Sequence, residues 1–431
     1  MKQYSAILIG AGLRGVAYTD KMKAMEEKFK LIAVAEPLEG RRNFVKEKHG
    51  IADEMCFNSW EEILAKPKMA DIAVICTMDA MHYEPTMKAI ELGYDILLEK
   101  PLAPTSRECA EMLLAAEKRG VKILVCHVLR YTPFFKTIKE LVMKGTVGKI
   151  MSVVHVEAVG NVHQSHSYVR GNWHSEEETA PMLLAKCCHD LDIIQWILDE
   201  SCEKVQSFGK LSYFTPENAP VGVPKRCIEG CPIEDTCPYN SVKLYLESKD
   251  NSWFRSACTK GIAKKKIPTD DEVMEALKTT DYGLCVFRAN NNVVDHQTVN
   301  MQFKSGATAT LTMNAFNKGG RYIRIFGTKG ELFANMGDDR IQLYTFEDKK
   351  HVEIPVVKID ESIKSGHGGG DAGLIVELYD YLSGSYNGFC AADIDISVKN
   401  HLIGFAAEKS RKNDSVENID KYFEEYGIVN K

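Results

Sequence analysis

Five short apolar runs in the first 126 residues restrict the fold of this chain more than any other feature: "YSAILIG", "KLIAVAE", "ADIAVICT", "YDILLEK" and "VKILVCH". None of them alternates apolar with polar residues. A strand without alternation has both faces covered, as in a parallel sheet between two layers of helices. The stretches between the runs supply those helices, since "AMHYEPTMKAIELG" and "SRECAEMLLAAEKRG" are amphipathic at helical spacing. Alternating strand and helix predicts a doubly wound α/β domain over residues 1–126.

Beyond Arg130 the pattern changes. In "VNMQFKSGATATLTMNA" (299–315), Val299, Met301 and Phe303 fall on one face and Asn300 and Gln302 on the other. After the Ser305-Gly306 turn, Ala307, Ala309, Leu311 and Met313 alternate with Thr308, Thr310, Thr312 and Asn314. This is an antiparallel hairpin with one apolar and one polar face, and "KIMSVVHVEAVG" (149–160) reads as a further strand of the same sheet. Residues 127–431 are therefore expected to form an α+β domain with an open, mostly antiparallel sheet. A second copy could cover its outer face, giving a homo-oligomer (dimer or tetramer). Residues 214–280, rich in Pro, Cys and charge, read as an insertion.

A net charge of −6 over 431 residues leaves no basic footprint for nucleic acid. No run approaches the roughly 18 apolar residues that a membrane span needs. The first run ends in glycines rather than at a cleavage site, so it reads as a strand and not a signal peptide. A cytoplasmic protein is expected. Thirteen cysteines in a reducing compartment are not a disulfide framework, and most, such as Cys76 and Cys126, sit in apolar runs as small core residues. "RCIEGCPIEDTCPYN" differs. Cys227, Cys231 and Cys237 fall around turns, with Cys285 or Cys258 as a fourth ligand, so a structural zinc or iron–sulfur site is an expectation, with free thiols as the alternative.

Gly10-Ala-Gly12-Leu13-Arg14-Gly15 follows the first run and opens a helix. The first glycine permits the tight turn, the second lets a pyrophosphate approach the backbone, and the third lets the helix pack on the strand. The second run ends at Glu36, at the spacing where a carboxylate accepts from a ribose 2′-OH and repels a 2′-phosphate. NAD is expected over NADP, with Arg41 and Arg42 close enough to soften the preference.

With "CTMDAMHYEPTMKAIELGYDILLEKPLA" and "HVLRYTPFF" added, the chain resembles the glucose–fructose oxidoreductase / inositol dehydrogenase (Gfo/Idh/MocA) family. The likeness continues more loosely through "GTVGKIMSVVH", "RGNWH", "HDLDIIQWIL" and "GTKGEL". It implies a nicotinamide cofactor and chemistry on sugars, cyclitols or related polyols. It also implies that the lysine of Glu99-Lys100-Pro101 reaches the substrate hydroxyl beside the nicotinamide. Thr77, Glu99 and Arg130 join the expected cofactor contacts. His82 lies either near the nicotinamide or ribose or at a helix start in a structural role.

"PMLLAKCCHDLDIIQWIL" (181–198) reads as one helix on which Lys186, His189 and Asp190 share a face. Family members commonly carry an aspartate four residues before the matching histidine; here that position is Ala185. That leaves His189 as the general base, with Lys186 as a further catalytic candidate. Lys100 and Lys186 in one pocket are expected to depress each other's pKa, unless Lys186 pairs with Asp190 along the helix. Asp192 lies on the wrong face to orient His189. "HQSHSYVRGNWH" (163–174) reads as a loop whose His163 and Trp173 face either a sugar ring or solvent. Tyr131 and His367 are further substrate candidates, and Asp371 is either a pocket residue or a helix cap. The reading is an NAD(P)-dependent oxidoreductase of a sugar, glycoside or polyol. The alternatives are an NAD-assisted glycosidase working by transient oxidation, and a non-catalytic NAD sensor.

Overall fold

A computed structural model describes residues 2–248, 252–259, 268–356 and 367–429. The five predicted runs become strands β1 (Tyr4–Ile9), β2 (Phe29–Ala35), β4 (Ile72–Ile75), β5 (Asp95–Leu98) and β6 (Ile123–Val125), and a two-residue edge strand, β3 (Cys56–Phe57), joins them. All pair in parallel in the order β3-β2-β1-β4-β5-β6. The order reverses between β1 and β4, so the crevice beyond the strand ends at that point is where such a sheet takes its ligand. Ile72–Ile75 and Ile96–Leu98 are fully buried, as runs without alternation require.

The second sheet has nine strands. They are β7 (Ile150–Ala158), β8 (Cys202–Lys210), β9 (His296–Phe303), β10 (Thr308–Asn314), β11 (Gly320–Gly327), β12 (Gly330–Asn335), β13 (Arg340–Thr345), β14 (Lys350–Pro355) and β15 (Glu417–Asn418). Their order is β14-β13-β12-β11-β7-β10-β9-β8-β15, and only β7 and β10 run parallel. The predicted hairpin is β9–β10, with Met301 opposite Ala309 and Val299 opposite Leu311, all buried. The opposite face carries Asn300, Gln302 and Thr308 in solvent, with Met151, Phe208 and Phe333 partly exposed.

The C-terminal helices return to the first sheet. Leu124 bridges Asp393, the helix Gly370–Ser383 packs on the helix Leu13–Lys23, and Ile394–Asn413 runs beneath both domains. Among the described residues no helix is long and apolar enough to cross a membrane.

One expectation needs correction here. The segment 163–174 is not an open loop: Asn161–His163 is a helical turn, Gln164–Val169 is π-helical, and Gln164 to Arg170 are buried. The insertion covers it. Arg170 donates to the carbonyls of Leu284 (2.7 Å) and Tyr239 (2.7 Å), while His166 sits among Tyr245, Trp253, Phe254 and Tyr282. Four of the cysteines named as ligand candidates lie in one region of the insertion and its flank. Cys227 and Cys285 help fill the insertion's apolar core with Phe214, Val223 and Phe287, and Cys231 and Cys237 pack at its edge. Among the described residues no group of three or more His, Cys, Asp or Glu is arranged to hold a metal ion.

Candidate active site

At the nucleotide end each glycine has a separate job. Gly10 has φ 91°, and a Cβ there would stand 2.5 Å from the Cys76 carbonyl oxygen; at Gly15 a Cβ would stand 2.2 Å from the Gly10 carbonyl oxygen. Neither position admits a side chain. A Cβ on Gly12 meets nothing within 4 Å, and Gly12 starts the helix Leu13–Lys23 with no side chain bonded to its first amides. Open space before uncapped helical N–H groups is what a pyrophosphate needs. Glu36, 4% exposed, ends β2 and accepts N–H bonds from Ala11 (2.8 Å) and Leu38 (3.0 Å), which holds its carboxylate against the glycine turn. Each oxygen retains acceptor capacity for a ribose hydroxyl. Arg42 donates to the Glu36 main-chain oxygen at 2.6 Å. These residues fit a dinucleotide.

Other expected cofactor contacts are placed differently. Leu13 is exposed at the mouth. Arg14 turns back into the protein, donating to Glu99 (2.8 Å) and to both Asp371 oxygens (2.7 and 3.1 Å). Tyr18 also donates to Glu99 at 2.6 Å. Burial alone would raise the Glu99 pKa, but Arg14 and Lys100 outweigh it and hold this carboxyl below its ordinary value. Thr77 bonds to the Met81 carbonyl at 3.0 Å. His82 is buried with Nδ1 at 2.6 Å from the Pro101 carbonyl and Nε2 at 3.2 Å from that of Thr77, so it fastens two loops together. Arg130, 1% exposed, makes a bidentate pair with Asp192 (2.7 and 2.6 Å) that Asn400 completes at 2.9 Å. Its remaining donor reaches the Ala391 carbonyl at 3.4 Å.

Lys100 stands two residues past the end of β5, and its peptide to Pro101 is cis. Its Nζ donates to the Ala185 carbonyl at 2.8 Å. That acceptor exists because the predicted helix 181–198 is broken into Met182–Ala185 and Cys188–Leu198, with Lys186 and Cys187 between. In a continuous helix the Ala185 carbonyl would accept from His189 N–H. The break also removes the shared face. Lys186 Nζ lies 3.4 Å from Glu157 on β7, while Asp190 takes His155 at 2.7 Å and Arg321 at 2.8 Å. The alternative Lys186–Asp190 pair is therefore absent among the described contacts. Burial alone would lower the Lys100 pKa, but Cys188, Glu99 and Asp79 outweigh it and hold it above the ordinary lysine value. The expected depression of Lys100 by a second lysine does not occur, because carboxylates flank it. A raised pKa favours the charged, donating form of Lys100.

His189 lies in the first turn of Cys188–Leu198, 5% exposed, its ring 6.0 Å from that of His127. Trp173 faces Tyr168 at 6.0 Å between centroids and donates its indole N–H to Asp79 at 2.9 Å. His163 neighbours Tyr168 and Trp253. Burial, and then Lys186, hold its pKa well below the usual imidazole value, so it is neutral. Tyr131 is packed under the helix Gly370–Ser383, where its Cβ lies 2.8 Å from a Cβ built on Gly373, on the side of Glu377 rather than of Lys100. The side chain of His367 lies outside the described residues.

The model of the oxidoreductase family with an NAD-binding Rossmann fold (GFO_IDH_MocA) matches residues 5–127, and that of its C-terminal alpha/beta domain matches 139–367. The chain belongs to the Gfo/Idh/MocA family. Among curated relatives it is 24% identical over 338 residues to the putative oxidoreductase YteT of Bacillus subtilis, covering 76% of each chain. It is 27% identical over 208 residues to the 2,7-anhydro-N-acetylneuraminate hydratase of Escherichia coli, covering 47% of this chain and about half (53%) of the relative. A solved levoglucosan dehydrogenase in complex with NADH and L-sorbose has a TM-score of 0.68 at 18% identity, with 97% of this chain and 99% of that one covered. At that identity the likeness concerns the fold.

Three residues that shape the cleft of this Gfo/Idh/MocA protein were not visible as motifs. Asp79 follows β4, Glu157 lies on the β7 face that also carries buried Val153 and His155, and Arg321 bonds both Glu157 (2.6 Å) and Asp190. A signal existed for two of them. Asp79 is an acid beyond the carboxyl end of a parallel strand, and His155 and Glu157 interrupt the apolar face of a strand in a way that burial tolerates only with partners.

Proposed function

We propose that this protein oxidises a secondary hydroxyl of a sugar, glycoside or polyol with NAD as acceptor. The observation that carries the reading is Lys100, held by the Ala185 carbonyl at the carboxyl ends of the parallel strands, where the glycine turn and the second domain meet. One of its three N–H groups is used by Ala185, which leaves two for a substrate oxygen. His189, on the same broken helix, takes the hydroxyl proton onto an imidazole nitrogen while the carbon–oxygen bond becomes a carbonyl. Trp173, Tyr168 and His163 supply the aromatic wall that suits a sugar ring. A bound nicotinamide supplies the acceptor for the departing hydride. A second copy covering the outer face of the nine-stranded sheet belongs to the same reading.

Purified protein incubated with NAD and a panel of sugars, glycosides and inositols is expected to form NADH, and Lys100→Met is expected to abolish it. Absence of NADH from every substrate, with the sugars unchanged, would sink the reading. The hydratase relative favours one further possibility, transient oxidation followed by elimination, addition of water and re-reduction. That reaction consumes substrate without releasing NADH, so product analysis on the same panel separates the two.

A further inference from the structure

The glycine turn, the loop after β5 and the C-terminal helix Gly370–Ser383 meet at one arginine. Arg14 lies in the first turn of the helix Leu13–Lys23, beside the mouth, yet its side chain runs inward. Its Nε donates to Glu99 Oε1 at 2.8 Å. Its two Nη groups take Asp371, Nη1 to Oδ2 at 3.1 Å and Nη2 to Oδ1 at 2.7 Å, the forked pairing that fixes a guanidinium plane. Tyr18 joins the group, accepting from Arg14 Nη2 and donating to Glu99 Oε1 at 2.6 Å. The second oxygen of Glu99, Oε2, accepts the main-chain N–H of Lys100 at 2.7 Å. A line of hydrogen bonds therefore runs from Asp371 through Arg14 and Glu99 to the peptide that carries Lys100.

The members of this line are not equally free. Asp371 is 1% exposed and Glu99 5%, whereas 31% of the Arg14 side chain reaches solvent. Glu99 directly follows β5. Asp371 stands in the first turn of its helix, whose start is pressed against the main chain after β6: a Cβ on Gly370 would stand 2.2 Å from the Val128 carbonyl oxygen. Both carboxylates are thus set by backbone. Arg14 is a long side chain with much rotamer freedom to lose, and the fork on Asp371 is what holds it inward.

We propose that Asp371 is a positioning residue: it keeps Arg14 turned off the mouth and onto Glu99, and so fixes the main chain of Lys100. The inference rests on the dehydrogenase reading for its consequence in turnover, but not for the clamp itself. Without the Asp371 charge, Arg14 has a neutral acceptor in place of a charged fork. It then leaves Glu99 and becomes a cation beside the glycine turn, where a pyrophosphate would gain from it. Glu99 is released to turn, and the Lys100 amide loses its acceptor. Cofactor binding and the placing of Lys100 therefore move in opposite directions, which a general loss of packing does not produce.

The test is hydrogen exchange, followed by NMR in 15N-labelled full-length protein at two sites. One is Arg14 Nε–H, assigned by the signal lost in Arg14→Lys; the other is the Lys100 amide, assigned with 15N-lysine and Lys100→Arg. Both are expected to exchange slowly in the unmodified protein. In Asp371→Asn, which keeps the shape, both should exchange about tenfold faster or more, although both donors sit on Glu99. Asp371→Glu should restore part of the protection. By calorimetry the Asp371→Asn variant should bind NAD as tightly as before or more tightly, while kcat falls by about tenfold, the order expected of a misplaced reacting group. An Arg14 Nε–H that exchanges like those of exposed arginines in the unmodified protein overturns the proposal whether or not any variant folds. So does a Lys100 amide unmoved in Asp371→Asn, and so does NAD affinity that falls in step with kcat. If exchange responds as expected while no substrate yields NADH, the clamp stands and the dehydrogenase reading falls.

Discussion

The two ends of the cleft are built in opposite ways. The nucleotide end is local. Gly10, Gly12 and Gly15 fall within six residues, Glu36 ends the next strand, and their geometry is settled inside one strand–turn–helix–strand unit. The substrate end is assembled from afar: Asp79, Lys100, Glu157, Trp173, the break at 186–187 and Arg321 come from six segments. Local parts are fixed by backbone sterics that leave little choice. The distant parts are fixed by charge pairing, in which each buried ion requires its partner. Damage should therefore differ in kind, with loss of binding at one end and loss of stability or turnover at the other.

The largest effect is expected at the hinge between the ends. Arg130→Ala leaves the Asp192 carboxylate buried with Asn400 and the 3.8 Å contact of His127. Breaking one partner of such a pair typically costs about 3–5 kcal/mol, read as a lowered denaturant midpoint. A variant that unfolds at the original midpoint would show that the pair carries little. Close behind comes catalysis. Lys100→Met and His189→Ala should each reduce turnover by about 10² or more, while NAD binding, measured by calorimetry, stays within a few-fold, because the glycine turn is untouched. Near-normal turnover in His189→Ala would move the base to another group.

This contrast also explains what could be read from the sequence. The runs without alternation, the three glycines and the 299–315 hairpin are short-range patterns, and each forms as expected. Lys100 was legible only because the resemblance pointed to it; the residue alone reads as an exposed strand end. The helix 181–198 was misread because its apolar spacing runs on through Lys186 and Cys187. Nothing local records that Lys100 takes the Ala185 carbonyl and that Glu157 draws Lys186 aside. The segment 163–174 looked like a polar loop because its buried state depends on partners far along the chain, in the insertion and just after it. Cys227 and Cys285 lie in an apolar core with Cys231 and Cys237 at its edge, and spacing alone does not separate packing from ligation.

The ends should also part as pH falls. His127 is pushed down to about 4, and His166 and His401 to about 3, in each case chiefly by burial. The unfolded chain binds these protons near pH 6.5 and the folded chain does not. Stability is therefore lost as pH falls from about 6.5 toward 4, at up to about 1.4 kcal/mol per pH unit for each histidine. All three lie at the domain junction or in the π-helical turn. Thermal unfolding followed from pH 7 to pH 4 should show a falling Tm, and Trp173 fluorescence should change before NAD affinity does. A Tm flat across that window would mean the histidines are hydrated or paired in solution.

The smallest effect should be the most selective. Glu36 shapes the glycine turn, through Ala11 N–H and Leu38 N–H, and on the NAD reading its charge would repel a 2′-phosphate. Glu36→Gln separates these roles, because the amide oxygen can still accept one of the two N–H bonds while the negative charge is gone. NAD affinity should fall only modestly, and the preference for NAD over NADP should narrow by about tenfold, equivalent to 1.4 kcal/mol. Arg42, held by the Glu36 main-chain oxygen at 2.6 Å, stays in place to meet the extra phosphate. Glu36→Ala also loses both acceptors, so it should weaken the two cofactors together in addition to narrowing the gap. If calorimetry finds NADP bound more tightly than NAD by the unmodified protein, the carboxylate is a support for the turn and not a discriminator. The nucleotide end would then share the logic of the substrate end, a charge retained for its partners rather than for the ligand.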